Sequence, residues 1–191
     1  MSRTATTVTI ILAAIVAAAL IIIRTGPTTG RDPVQRRTGV GTTEQVDLRP
    51  QEREVTLFFA NAAATRLVEE PRRVSFVAGH SGALAEAALA ALIAGSRRGN
   101  APVLPAGLAT PRVFIASATA YVDLPPEIQA ANYGAAGELL AVYAIVYTVG
   151  RLPDLERVKI LIGGAERTTL AGHVALADTF TATGPPPSFG P

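Results

Sequence analysis

Few residues in this chain have the chemistry for a reaction: there are two histidines and no cysteine, and one serine stands in a strand-to-helix turn. The serine is Ser81, in Val77-Ala78-Gly79-His80-Ser81-Gly82, and such a turn is the setting of a hydrolase nucleophile. Asp123 or Asp154 and then His173 follow in the order nucleophile, acid, histidine, so a small serine hydrolase using Ser81, Asp123 and His173 is one reading. Three points oppose it. The G-x-S-x-G pattern fails at Ala83, the folded part is short for that fold at about 128 residues, and Ser81 is explained as the N-cap of the helix that follows. Metal chemistry has less to build on, because His80 and His173 lie far apart with no cysteine or close carboxylate set. Gly163-Gly164 lacks the lysine and the following helix of a phosphate loop and reads as a turn. No catalytic residue, metal or cofactor is therefore expected. Arg72-Arg73 and Arg97-Arg98 are the remaining candidates, as contacts to anionic polymer or lipid headgroups, where each charge contributes on the order of 1 kcal/mol. Their plainer reading is a solvated rim. A net charge of +2 is too small to suggest a nucleic-acid partner.

The elements that would carry these residues alternate. Val55-Thr56-Leu57-Phe58-Phe59 and, after the breaker Pro71, Arg72-Arg73-Val74-Ser75-Phe76-Val77 are β-branched and aromatic runs that predict strands. A helix then runs from Gly82 to Ala94, with Leu84, Ala88, Ala91 and Leu92 on one face and Gly95 as its stop. After a Gly- and Pro-rich loop, residues 112–116 and 119–124 are separated only by Ser117-Ala118 and predict a hairpin, although Ser-Ala is not a favoured two-residue turn. A second helix is expected from about 135 to 151. Residues 139–150 of it carry no charge, so it is either buried on several sides or presents a second apolar face to a partner. Val158-Lys159-Ile160-Leu161-Ile162 closes the set as a strand, ahead of a last short segment near Thr168-Thr169-Leu170. The order predicts an α+β domain, a mixed sheet with two helices packed on one face.

This domain is expected over residues 53–180. Residues 4–23, TATTVTIILAAIVAAALIII, form an uncharged run whose roughly 30 Å of helix would match a bilayer's hydrocarbon core, so residues 1–24 are read as a transmembrane anchor. Bulky Leu20-Ile21-Ile22-Ile23 after the alanines makes a poor signal-peptidase site, and there is no cysteine to lipidate. Residues 25–52, rich in Gly, Pro, Thr and charge, read as a flexible linker, and residues 181–191, with Pro185-Pro186-Pro187, as a disordered tail. Arg24, Arg31, Arg36 and Arg37 follow the run against Arg3 before it, and the positive-inside rule favours a cytoplasmic body.

Several blocks occur in a recognisable order: Val55-Thr56-Leu57-Phe58-Phe59, Leu67-Val68-Glu69-Glu70-Pro71-Arg72-Arg73-Val74, Ala91-Leu92-Ile93-Ala94-Gly95, Leu104-Pro105-Ala106-Gly107, Ala120-Tyr121-Val122-Asp123-Leu124, Gly137-Glu138, and Val158-Lys159-Ile160-Leu161-Ile162-Gly163-Gly164 with Leu170-Ala171-Gly172-His173. Together they resemble a single GerMN domain, the module named from bacterial spore-germination proteins and found also in membrane-bound and lipoprotein envelope proteins. Pro125-Pro126 departs from the pattern, where the family more often has a serine and a polar turn. The resemblance implies a non-enzymatic, extracytoplasmic module of the bacterial envelope. Its implied partners are envelope proteins or peptidoglycan, and self-association into a homo-oligomer is a further expectation. A cytoplasm-facing adaptor is the alternative that the arginine flank supports.

Overall fold

The computed structural model describes residues 49–188, so the anchor, nearly all of the linker and residues 189–191 lie outside the described residues. Among the described residues, no helix is long and apolar enough to cross a membrane. Strands β1 (Pro50–Ala60) and β2 (Leu67–Val77) form an antiparallel ladder running from Pro50 opposite Val77 to Ala60 opposite Leu67. Both are longer than expected. β1 takes in Pro50-Gln51-Glu52, assigned above to the linker, and β2 passes straight through Pro71. The proline is tolerated because β2 has a strand neighbour on one side only, so some of its N–H groups are not required by the ladder.

Helix α1 (Ala83–Ile93) ends at Gly95, whose φ of +90° suits a glycine in the left-handed region. Its start differs from expectation. Gly82, not Ser81, occupies the N-cap and no side chain caps the helix. Gly82 is needed there because a Cβ would stand 1.9 Å from the Val113 carbonyl oxygen. Strands β3 (Arg112–Ala116) and β4 (Thr119–Leu124) form the predicted hairpin, with Ser117 and Ala118 both at positive φ (+48° and +56°), the twist a two-residue turn requires. Pro125-Pro126 opens a 3-10 turn at Pro126–Ala130, since a proline at the first helical position sacrifices no hydrogen bond. Helix α2 (Gly134–Gly150) and strand β5 (Arg157–Ile162), parallel to β4, complete the order.

The α+β class holds, with two sheets in place of one: β1-β2, and a mixed sheet ordered β3-β4-β5. The reason lies at the strand edges. The open side of β1 is used by Thr148 Oγ1 of α2, which accepts from Phe58 N–H (3.2 Å), and by a bridge from Ala60 to Ala101. The open side of β3 is used by Glu86 Oε1 of α1, which accepts from Val113 N–H (2.9 Å). With both edges satisfied by side chains or loop, the sheets do not merge. Each helix packs against both sheets, α1 on β1, β2 and β3, and α2 on β1 and β5, rather than on one face of a single sheet. Leu57, Phe58, Phe59, Leu89, Ile145 and Ile160 are among the fully buried side chains of the shared core.

Helix α2 is apolar all round because it is buried all round. Leu140, Ala141, Val142 and every residue from Ala144 to Val149 are buried. Its outer side is covered by its own chain: Tyr143 meets Phe180 edge-on at 6.1 Å, and Tyr147 Oη donates to the Pro185 carbonyl (2.9 Å). Arg151 adds a bond to the Ala182 carbonyl (3.1 Å), and Arg66 bridges to Ser188. Residues 182–185, expected as part of a disordered tail, therefore pack on α2 and its C-cap Arg151, on the face that was expected to meet a partner. The outer face of β5 is covered as well, because the single lysine, Lys159, is buried and donates to the carbonyls of Leu176 and Ala177.

Candidate functional site

The four arginines separate. Arg72 is buried on the inward face of β2, where it forms an ion pair with Glu70 and donates to the Gly95 carbonyl (3.2 Å). Glu70 also accepts from Ser96 Oγ (2.5 Å), Arg97 N–H (3.0 Å) and Asn100 Nδ2 (3.3 Å), so this carboxylate ties β2 to the loop after α1. Burial pushes the Glu70 pKa up, but the bonds from Ser96, Arg72 and Arg97 N–H outweigh it and hold the carboxyl at about 2. Arg72 is thus part of a buried clamp and unavailable to an anionic surface. Arg73, Arg97 and Arg98 are exposed.

The hydrolase residues are engaged elsewhere. Asp123 Oδ1 accepts from Gly164 N–H (2.7 Å) and steadies the turn after β5. His173 Nδ1 lies 2.9 Å from Glu138 Oε2 and must carry the proton, since an ionised carboxylate only accepts. Ser81 lines a pocket of about 290 Å³ with His80, Glu86 and residues 112–115. His80 Nδ1 accepts from Gly82 N–H (3.2 Å) and Nε2 faces Glu86 Oε2 (3.1 Å). Both ring nitrogens are used, so His80 has no free lone pair for the Ser81 hydroxyl.

Glu138, which stands in the sequence only as part of the Gly137-Glu138 block, is a second buried clamp. Fully buried, it accepts from the N–H groups of Ala171 (2.9 Å), His173 (3.0 Å) and Val174 (2.9 Å) besides the His173 ring. Burial again opposes ionisation, and the backbone donors and His173 again prevail, so its pKa lies below the usual carboxylate range.

Two features remain open to a ligand or partner. One is a pocket of about 280 Å³ between the end of β1, residues 101–105 and the first turns of α2, walled by Ala60, Ala101, Val103, Leu104, Tyr133 and Leu140. Tyr133 Oη is the one buried side-chain polar atom without a hydrogen-bond partner among the described residues. Burial, and then the charge of Glu138, raise its pKa to about 12, so it keeps its proton at physiological pH. The other is the outer face of the hairpin. There Phe114 (55% exposed) and Tyr121 (37% exposed) stand directly opposite each other, with Arg112 over the Phe114 ring at 5.7 Å.

The family described as "Germane: Sporulation and spore germination" matches residues 56–168. Among solved structures, the first GerMN domain of the sporulation protein GerM from Bacillus subtilis superposes with a TM-score of 0.54 at 23% identity, over 68% of this chain and 97% of that one. The tandem GerMN domains of the same protein give the same TM-score and identity, and here the match spans 46% of the solved chain. These likenesses are in fold. No curated protein matches the chain.

Proposed function

We propose, since this chain belongs to the Germane family of sporulation and spore germination, that it is a non-catalytic binding module of the bacterial cell envelope. The apolar run at residues 4–23 holds it to the membrane, and the domain lies outside the cytoplasm. Its partner is an envelope protein, met through the hairpin face. The observation that carries this reading is the exposed Phe114–Tyr121 pair with Arg112 stacked beside it. Aromatic residues and arginine are the types that concentrate binding energy at protein interfaces. An exposed, rigid cross-strand pair loses little side-chain entropy on docking. It also takes over the role expected of α2, whose apolar surface is buried within the domain. The engaged states of Asp123, His173 and His80 support the absence of turnover.

A photo-crosslinking residue placed at position 114 of the full-length protein in cells is expected to give a discrete adduct with an envelope protein. The same residue at position 98 should not, and Tyr121→Ser should weaken the adduct. Equal labelling from both positions would overturn the reading. A C-terminal phosphatase fusion checks the compartment, and an inactive fusion would support the cytoplasm-facing alternative. Peptidoglycan binding through Arg73, Arg97 and Arg98 is the second partner to test. Loss of sacculus pull-down in the triple alanine variant would favour it over the protein partner.

A further inference from the structure

The edge of β3 carries an inference that rests on the hairpin as a protein-binding face and adds the chemistry of what that face binds. β3 is the outer strand of its sheet, with β4 on one side only. Val113 N–H points away from β4, since it donates to Glu86 Oε1 (2.9 Å), and strand alternation turns the Ile115 N–H and C=O the same way. At Val113 this edge is closed. Glu86 takes the N–H, and the carbonyl oxygen lies against Gly82, where a Cβ would stand 1.9 Å from it. Past the end of the strand, the Ser117 carbonyl is taken by Arg157 Nη2 (3.1 Å). Between them Ile115 is half-buried, and its N–H and C=O have no hydrogen-bond partner among the described residues. An unpaired strand edge is a template for another chain, and here the template is one residue long.

We propose that this opening takes the end of an extended peptide segment, paired antiparallel to β3 through Ile115 and carrying a carboxylate that meets Arg112. Length sets the first limit. Glu86 blocks the edge at Val113, so an added strand that bonds to Ile115 continues only as far as Phe114. Its end then lies beside Arg112, whose guanidinium stands 5.7 Å from the centre of the Phe114 ring. Charge sets the second. Arg112 is exposed and has no ion pair among the described residues, so a carboxylate there completes it. The neighbouring acid does not compete for that place, because Glu86 Oε1 is held by Val113 N–H and Oε2 by His80 Nε2 (3.1 Å). Direction follows from charge. Antiparallel pairing brings the carboxyl end of the segment to Arg112, whereas parallel pairing would bring its amino end, and a terminal ammonium would be repelled. Space is present as well, since Ser81, Glu86 and residues 112–115 border a pocket of about 290 Å³. The carboxylate is either the terminus of the bound chain or the side chain of an acidic last residue.

The test uses the full-length protein in lipid nanodiscs, titrated calorimetrically with the peptide acetyl-Thr-Val-Thr-Val after subtraction of empty nanodiscs. Saturable binding of the free acid is expected, and the amide of the same peptide should bind about tenfold more weakly, the size of a charge-assisted hydrogen bond. An amidated peptide ending in Asp separates the two sources: recovered binding admits an acidic side chain, and no recovery restricts the site to a chain terminus. Arg112→Gln should weaken the acid about tenfold and leave the amide unchanged. Ile115→Pro removes the outward N–H without touching the ladder to β4, and should weaken both forms about fivefold. N-methylation of the third residue of the peptide removes the bond to the Ile115 carbonyl and repeats that test on the unaltered protein. No saturable binding of the acid, equal affinity of acid and amide, or full binding of the N-methylated peptide would each overturn the proposal. So would a dimer that Ile115→Pro dissociates, because it would assign the edge to a second copy. In cells, a crosslink from position 114 that persists in Arg112→Gln and in Ile115→Pro sinks this inference and leaves the hairpin reading standing, whereas that reading is decided by the crosslinks of the parent chain alone.

Discussion

Two buried polar groups at the start of the same helix, Glu138 and Tyr133, are treated in opposite ways. Glu138 accepts four hydrogen bonds and fastens the loop at residues 171–174. Five residues earlier in the chain, Tyr133 Oη is buried and has no partner. The Glu70 clamp resembles the first group, with Arg72, Ser96, Arg97 and Asn100 around one carboxylate. The difference follows from charge. A buried charge must be fully bonded to be tolerated at all, so each clamp specifies one position for a loop that has little regular structure of its own. A buried neutral hydroxyl costs less when unpaired, so it is tolerated without a partner.

Acid should act on the clamps alone. Both carboxyls have folded-state pKa values below their unfolded ones, so the stability they contribute is present above the unfolded value and is lost as pH falls through the folded value. For Glu70, a change from an ordinary 4.5 to about 2 corresponds to on the order of 3 kcal/mol. Denaturant melts are expected to be constant from pH 7 to about 5 and to weaken steadily toward pH 2. A Glu70→Gln, Glu138→Gln double variant should show a flatter profile. Tyr133 has the opposite sign: its raised pKa leaves stability unaffected below about pH 10 and lowers it as pH rises from there to about 12.

Glu138→Gln breaks one clamp directly. The amide nitrogen cannot accept, so two of the four donors lose their bond, and a loss of about 2 kcal/mol is expected in equilibrium denaturation. Faster hydrogen exchange should be confined to residues 168–176. The smaller effect belongs to the tyrosine, where Tyr133→Phe is expected to raise stability by about 1 kcal/mol because it removes an unpaired hydroxyl. A sign reversal between these two substitutions would sharpen the comparison, and a loss in both would break it. Smallest of all, replacing Arg73, Arg97 and Arg98 by alanine should shift stability by no more than about 0.5 kcal/mol, since exposed charges contribute little. Arg72→Ala, by contrast, would strand the Glu70 charge.

Much of the local framework was legible. The hydrophobic runs located every strand, Gly95 marked the end of α1, and the charge-free stretch of α2 announced its burial. The buried arginine was also within reach, because Arg72 shares a strand face with Val74 and Phe76, with Glu70 two residues before it on the same side. Reading Arg72-Arg73 as a surface pair overlooked that alternation. Pro71 misled for a different reason: whether a proline breaks a strand depends on whether the strand has a neighbour on both sides, which is a property of the sheet. Ser81 had the residue type of an N-cap, yet the close approach of Gly82 to Val113 set where α1 begins. The tail at residues 182–185 has the composition of disorder and gains its order from Tyr147 of α2 and its C-cap Arg151.

By itself the sequence determined the elements and their order, because turn chemistry and the periodicity of apolar residues act between near neighbours in the chain. It also carried the resemblance that the family match bears out. Only the tertiary structure decided that there are two sheets, that Glu70 and Glu138 are clamps, and that Tyr133 has no partner. Whether a buried polar atom is satisfied depends on groups brought to it from across the fold, more than thirty residues away for Glu138, and no local pattern records that distance.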